Sequence, residues 1–440
     1  VTEQSGQGSA RSQQDGAAGA PRFGRWSRRG VLGLAGTGVA GAAVGFVAGH
    51  ASVDEAMPAV VDPATVVHPF HGEHQAGITT PVQEHLYFAA FDVRDTTTRE
   101  DLVELLKAWT EAAERLTRGL EVTEDGAVDG PVLLPPDDTG EAQDMGAHAL
   151  TVTFGFGPSL FTGEKGKRLG IADRRPAELK KLPLFAFDLL EDPISDGDLC
   201  IQACADDPQV AMHAIRNLSR IGFGTVRVRW TQLGFGKTAS TDRTTPTPRN
   251  LFGFKDGTAN VMADETAALE EQVWVPDDAT PAWMAGGSYM VTRKIMMTIE
   301  SWDRASLAEQ QRVIGRDKGE GAPLSGGLEF TDPVFAAKNE DGSLAIDVDS
   351  HVRLAHPEMN NGTRMLRRGY NFVEGNNALG QLSAGLFFIC FQRDPQQFID
   401  IQNNLRGDLL NEYIRHVGSA LFAVPAGTAE GEYVGQRLFG

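Results

Sequence analysis

The 440-residue sequence predicts an α+β fold made of one unit used twice, each copy an antiparallel sheet backed by helices. Three observations carry that prediction. The segment "GDLCIQACADDPQVAMHAIRNLSR" (197–220) lies over "AGLFFICFQRDPQQFIDIQNNLR" (384–406), setting Leu199 against Leu386, Asp207 against Asp394, Pro208 against Pro395 and Asn217 against Asn404. Upstream of each copy lies a further strand–helix pair, so the order strand–helix–strand–strand–helix occurs twice. The composition, 41% hydrophobic and 22% charged, suits globular domains, and the length can bury one large core or two ordinary ones. Together these point to two ferredoxin-like domains.

In chain order, the polar Gly/Ser-rich stretch to Gln14 predicts disorder. Arg28-Arg29 then precede an uncharged run from Gly30 to Gly49, whose glycines make it a poor membrane helix. "SRRGVL" is similar to a twin-arginine export signal, with a small-residue cleavage site near Ala51; an uncleaved membrane anchor is the competing reading. Residues 1–51 are therefore set apart as disordered terminus plus signal, and 52–68 as a linker.

The first domain is expected over 69–236. "HLYFAAFDV" reads as a strand and "TREDLVELLKAWTEAAERL" as a helix with Leu102, Leu105, Leu106 and Trp109 on one face. "DLCIQACADDP" reads as a strand carrying Cys200 and Cys204 on one face as small core residues. With Cys390 the cysteine count is odd, which excludes a complete disulfide framework. Asp207 and Asp394 stand where they can cap the following helices, and Pro208 and Pro395 in the first turn cost no hydrogen bond. The polar "GKTASTDRTTPTPRN" (236–250) marks the boundary, and the second domain is expected over 250–440.

In that second copy "SYMVTRKIMM" is a strand and "RASLAEQQRVIGR" a helix. "NLFGFKDGTAN" (250–260) reads on its own as a turn, with Asp256 either punctuation or a placed carboxylate. His351 opens a short extended stretch and His356 precedes a proline; spacing alone assigns neither a role. "GLFFICF" puts Leu386 and Phe388 on one face and Phe387 and Ile389 on the other, so both faces are expected to be buried, with a large flat ligand as one candidate cover. The net charge of −19 argues against nucleic acid or an anionic membrane as partner.

From about Pro69 to the C-terminus the chain resembles the dye-decolourising haem peroxidases, most of all the secreted class that includes the bacterial deferrochelatase/peroxidase. The stretches that carry the resemblance include "PFHGEHQAGITTP", "RNLFGFKDGTAN", "GRDKGEGAPL", "DSHVRLAHP", "MLRRGYNF" and "GLFFICFQRDP". It implies a duplicated, dimeric α+β barrel type of fold enclosing a haem pocket, one haem b per chain, and His351 as the axial iron ligand. His356 stands where relatives often carry asparagine, which makes it the poorer axial candidate. Asp256 and Arg367 match the distal catalytic pair, Gly257 belongs to the same cofactor-side motif, and Leu386 and Phe388 match the distal wall. A carboxylate on the other imidazole nitrogen would make the ligand more basic; Glu412 and Asp394 are the candidates.

The implied activity is reduction of hydrogen peroxide through an oxoferryl state, coupled to oxidation of dyes, phenols or other one-electron donors. Tyr370, Tyr413, Tyr433 and Trp302 are candidates for carrying electrons from donors too large for the pocket. Alternatives are iron release from haem, and haem binding or delivery without turnover. A carrier has no need of Asp256 and Arg367. The implied partners are peroxide, a reducing substrate and the twin-arginine machinery, with an iron- or copper-handling protein and a homo-oligomer as further ones. The implied location is extracellular or cell-envelope.

Overall fold

A computed structural model describes residues 62–440, which lie in one compact unit. The Arg28-Arg29 segment and its flanks lie outside the described residues. Residues 62–68, the last part of the expected linker, are docked rather than loose. The amides of Ala147 and Ala149 donate to the carbonyls of Ala64 and Val66 at 2.9 and 2.8 Å.

The first half comprises β1 (His85–Val93), α1 (Arg99–Thr117), β2 (Thr151–Phe156), β3 (Leu199–Ala205), α2 (Pro208–Ile221) and β4 (Val226–Lys237). The second comprises β5 (Ser288–Met297), α3 (Leu307–Ile314), α4 (His351–Ala355), β6 (Leu366–Arg367), β7 (Tyr370–Asn376), β8 (Leu382–Gln392), α5 (Pro395–Asn404) and β9 (Ile414–Val424). The internal repeat is visible in the caps. Asp207 accepts from Gln209 N and Val210 N to start α2, and Asp394 forms a capping box with Gln397 to start α5.

All nine strands join one sheet in the order β5-β9-β2-β3-β1-β4-β7-β8-β6, and pairing of β5 with β8 closes it into a barrel. Each half contributes four main strands with its first and third in the middle, β2-β3-β1-β4 and β9-β5-β8-β7, the ferredoxin-like order. The seams between halves are thin. β4 meets β7 at Phe235↔Asn371 and Lys237↔Tyr370, and β2 meets β9 at Phe156↔Ala423. Side chains rather than ladder bonds therefore hold the halves together.

The inward faces of both halves form one apolar core. Phe88 stacks on Trp230 at 5.1 Å and tilts against Phe387 and Phe422, with Cys200, Cys204, Met290 and Ile389 around them. The cysteines share this face as expected, and all three are free and buried. Burying one large side chain of this kind contributes roughly 1.5–3 kcal/mol.

The two halves differ on their outward faces. In the first, α1 is one long helix lying on the sheet, with Trp109 wedged between Phe91 and Phe154 and its indole N–H donating to Leu218 O at 2.7 Å. In the second, the corresponding helix is broken into Ile299–Trp302 and α3, and a long segment without regular strands or helices follows to residue 350. That half of the sheet is left partly uncovered. A cavity occupies the gap.

Candidate active site

The cavity lies between the outward face of the second half-sheet and the helices α4 and α5, with about 1610 Å³ of empty space counting its open mouth. Ile295 and Met297 from β5, Leu386 and Phe388 from β8 and Ile414 from β9 form its sheet wall. Phe387 and Ile389, one residue out of phase, point into the barrel core instead. The alternation in "GLFFICF" thus separates cavity wall from core.

His351 stands at the first position of α4, a helix started by Ser350, and not in an extended stretch. Five consecutive helical residues satisfy its backbone locally, a periodicity too short to read from sequence. Its Nδ1 lies 2.6 Å from Asp408 Oδ2. Asp408 is itself buried, and its other oxygen accepts from Leu410 N at 2.8 Å to cap the turn Leu409–Glu412. Burial alone would lower the His351 pKa, but the Asp408 carboxylate outweighs it and the net shift is upward. With Nδ1 committed to Asp408, Nε2 is the nitrogen left for a ligand in the cavity.

This corrects the expected carboxylate partner. Glu412 is exposed one turn beyond Asp408, and Asp394 is spent capping α5. No local pattern in "NNLRGDLLNEY" distinguishes Asp408; only the fold brings it to His351, 57 positions away. His356 also lines the cavity, but its Nδ1 accepts from Glu358 N at 3.2 Å and its ring sits edge-on to Phe335 at 5.0 Å. Among the described residues no carboxylate lies within ion-pair distance of it.

Asp256 and Arg367 meet in the same cavity, with Arg367 Nη1 donating to Asp256 Oδ1 at 2.8 Å. The "GFKDGT" stretch is a turn, closed by Gly253 N donating to Asn250 O at 2.9 Å, and the turn is pinned so that Asp256 is held. Phe252 and Phe254 bury themselves beside Trp302, Asn250 Nδ2 reaches Asp256 Oδ2 at 3.3 Å, and Asp256 N donates to Pro248 O at 2.9 Å. Gly257 has φ of 94°, and a Cβ there would lie 2.9 Å from Ala239 Cα, so no side chain fits. Arg367 is fixed by Asn260, whose Oδ1 accepts from Arg367 N at 2.7 Å while its Nδ2 donates to Arg367 O at 2.9 Å.

Two further residues on this wall carried no expectation. Arg293, paired with the buried Asp188, donates from Nε to His416 Nδ1 at 3.3 Å. Burial and the Arg293 charge lower the His416 pKa to about 3, so its ring is neutral at any working pH. Among the aromatic candidates, Tyr370 is buried and Tyr433 sits by Lys107 in the first half. Trp302 stacks on Phe252 at 4.3 Å and meets the half-exposed Tyr413 edge-on at 4.9 Å, so these two adjoin the cavity wall.

The donor set suits a porphyrin. No cluster of three or more His, Cys, Asp or Glu able to hold a bare metal ion occurs among the described residues. A single carboxylate-held imidazole over an apolar slot fits a metal that brings its remaining ligands with it. The site and the closed duplicated barrel fit an enzyme of α+β architecture with room for a haem.

Two family models match the chain, Dyp-type peroxidase, N-terminal, over residues 75–236 and Dyp-type peroxidase, C-terminal, over 247–429. The chain belongs to the DyP-type peroxidase family. It is 37% identical over 401 residues to the deferrochelatase of Escherichia coli O157:H7, covering 88% of this chain and 92% of that one. Among solved structures, ferric DtpA from Streptomyces lividans is 41% identical with a TM-score of 0.78, covering 86% of this chain and 98% of that one. The DyP-type peroxidase from Cellulomonas bogoriensis is 39% identical with a TM-score of 0.76, covering 86% and 99%.

Proposed function

We propose that this chain is an exported peroxidase that binds one haem b, reduces hydrogen peroxide and oxidises dyes, phenols or other one-electron donors. The observation that carries the reading is the convergence of the His351–Asp408 and Asp256–Arg367 pairs on one apolar cavity. Bound haem supplies the redox-active iron. His351 would hold it through Nε2, with Asp408 keeping the imidazole oriented and electron-rich. Asp256 takes a proton from one peroxide oxygen and returns it to the other. Arg367 stays charged throughout and opposes the negative charge that grows as the O–O bond breaks. Leu386 and Phe388 keep this side dry and too narrow for a bulky donor. In balance, peroxide takes two electrons and two protons and leaves as two waters, while two donor molecules each lose one electron. Trp302 and Tyr413 are the route by which a large donor at the surface delivers them.

The test is the absorption spectrum of the purified full chain before and after one equivalent of peroxide. A Soret band that shifts with peroxide and returns on adding a reductant is expected; a band that peroxide leaves unmoved identifies a carrier. The relatives named deferrochelatase favour a second reading, in which iron leaves haem and the porphyrin stays intact. Incubation with haem distinguishes the two, since only that reaction leaves metal-free porphyrin fluorescence. Export rests on Arg28-Arg29. Replacing both with lysine should retain the haem-loaded protein in the cell, and undiminished secretion would refute the twin-arginine route.

A further inference from the structure

The barrel core holds a thiol, a phenol and a guanidinium that the peroxide chemistry above does not use. Arg367 and Arg368 are neighbours in sequence but face opposite sides of the sheet. Arg367 lines the cavity, whereas Arg368 is buried in the barrel and donates to the Thr80 carbonyl and to Gln83 Oε1. Beside Arg368 lie Cys204 of β3 and Tyr370 of β7, each wholly buried. Strand register accounts for this meeting. Leu86 of β1 pairs with Cys204 on one side and with Gly234 of β4 on the other. A Cβ on Gly234 would lie 2.6 Å from Tyr370 Cβ, so the glycine leaves room for the tyrosine, whose ring packs with Leu86 and Cys204.

The Tyr370 hydroxyl has no hydrogen-bond partner, and an unpaired buried hydroxyl is costly to keep. Cys204 comes close enough to act on it electrostatically, but not in hydrogen-bond geometry. Burial pushes the pKa of both groups up, so thiol and phenol stay protonated. What each can lose is a hydrogen atom, because the Arg368 charge opposes loss of an electron without its proton. Only the sheet separates Tyr370 from the cavity. It pairs with Phe387, the neighbour of the wall residue Leu386, and follows Gly369, whose Cβ would lie 3.2 Å from Leu386 Cδ1. A dissolved oxidant does not reach this buried pair, but electrons can cross one sheet.

We propose that Tyr370 and Cys204 form a modification site, where turnover without a donor joins the thiol sulfur to the ring carbon beside the Tyr370 hydroxyl. This rests on the peroxidase reading above, with hydrogen peroxide as the oxidant and the haem as the path for the electrons. The S–H bond and one ring C–H bond break, and one C–S bond forms. Two electrons pass to one peroxide, and the two protons released equal the two that peroxide takes up in leaving as two waters. The new bond ties β3 of the first half to β7 of the second, in a barrel whose seams between halves are thin. Joining positions so far apart in the chain restrains the unfolded state. Deprived of a donor, the enzyme spends its oxidant on a staple between its own halves.

The test treats the haem-loaded full chain with a few equivalents of peroxide and no donor, then reduces it with dithiothreitol, alkylates it and digests it with trypsin for mass spectrometry. One joined pair of peptides, carrying Cys204 and Tyr370 and lighter than their sum by two hydrogen atoms, is expected, together with a raised melting temperature of the treated protein. Excess phenolic donor during treatment should suppress both. Tyr370→Phe and Cys204→Ala should each abolish both, whereas Cys390→Ala should still form the link. Tyr370→Phe removes only an unpaired hydroxyl, so before treatment it should melt no lower than the wild type. If dithiothreitol separates the peptides, the bond is a disulfide and the assignment fails. If Cys204 gains oxygen while Tyr370 is unchanged, peroxide acts on the thiol directly and the assignment fails again. If the peptides stay separate although peroxide shifts the Soret band, the pair is inert core, and the peroxidase reading stands without it. A Soret band that peroxide leaves unmoved overturns that reading, and this assignment with it.

Discussion

His351 and His356 stand five residues apart and line one cavity, yet only His351 has its Nδ1 on a carboxylate. His351→Ala should lose most of its haem on gel filtration, and His356→Ala should keep it; the reverse pattern in the Soret band would reassign the ligand. Asp256 and Arg367 divide the peroxide step. Loss of a proton-transfer group typically costs about 10²–10⁴-fold, and loss of a charge-stabilising donor about 10²–10³-fold. Asp256→Ala and Arg367→Leu should therefore both bind haem and slow the peroxide-driven spectral change in stopped flow by at least about a hundredfold. Unchanged rates in both would reduce "GFKDGT" to a turn. These residues were reached through the short stretches that carry the family resemblance, because spacing alone gave them no role. Asp408 was not, since nothing local separates it from Asp394 and Glu412, the two candidates weighed, until the turn after Gly407 places it.

Among the elements, the strand, Asp-Pro and helix repeat was legible because alternation, capping and helical period are all local signals. The loop between α1 and β2 was opaque, having no periodicity, and it is held by polar contacts instead. His213 on α2 is buried between Asp138 and Glu141, with Nε2 and Nδ1 each 3.4 Å from a carboxylate oxygen. Asp138 also accepts from Val122 N at 2.9 Å and Gly140 N at 2.7 Å. Burial opposes both charges, but the contacts win. His213 has its pKa raised above 6.5, and Asp138 has its pKa lowered to about 2. The His213 contribution is complete below pH 6.5 and lost as pH rises through its raised value; the Asp138 contribution is complete above 3.8 and lost as pH falls toward 2. The loop should thus resist hydrogen exchange best between about pH 4 and 6.5. His213→Gln should free residues 121–141 at a local cost of roughly 3–5 kcal/mol, because Asp138 stays buried. Identical exchange in wild type and variant across that range would refute the clamp.

For the whole molecule, the barrel was expected only through the family resemblance, because its seams rest on very few strand pairs and leave no local signal. What joins the halves is a shared core, in which Phe88 and Trp230 of one half meet Phe387 and Phe422 of the other. Calorimetry should accordingly show one unfolding transition in apo- and holo-protein alike, with haem raising its midpoint by binding only the native state; two resolved transitions would mean the halves are independent. Residues 62–246 expressed alone should not fold, since half of that core would face water. The long helix α1 has a consequence of another kind. The duplicated unit keeps two versions of one surface, one lining the cavity and one plugged by Trp109, Phe91 and Phe154. The plugged copy is a dormant socket. Trp109→Ala should cost about 3–5 kcal/mol and open a dry hollow there, detectable by xenon uptake.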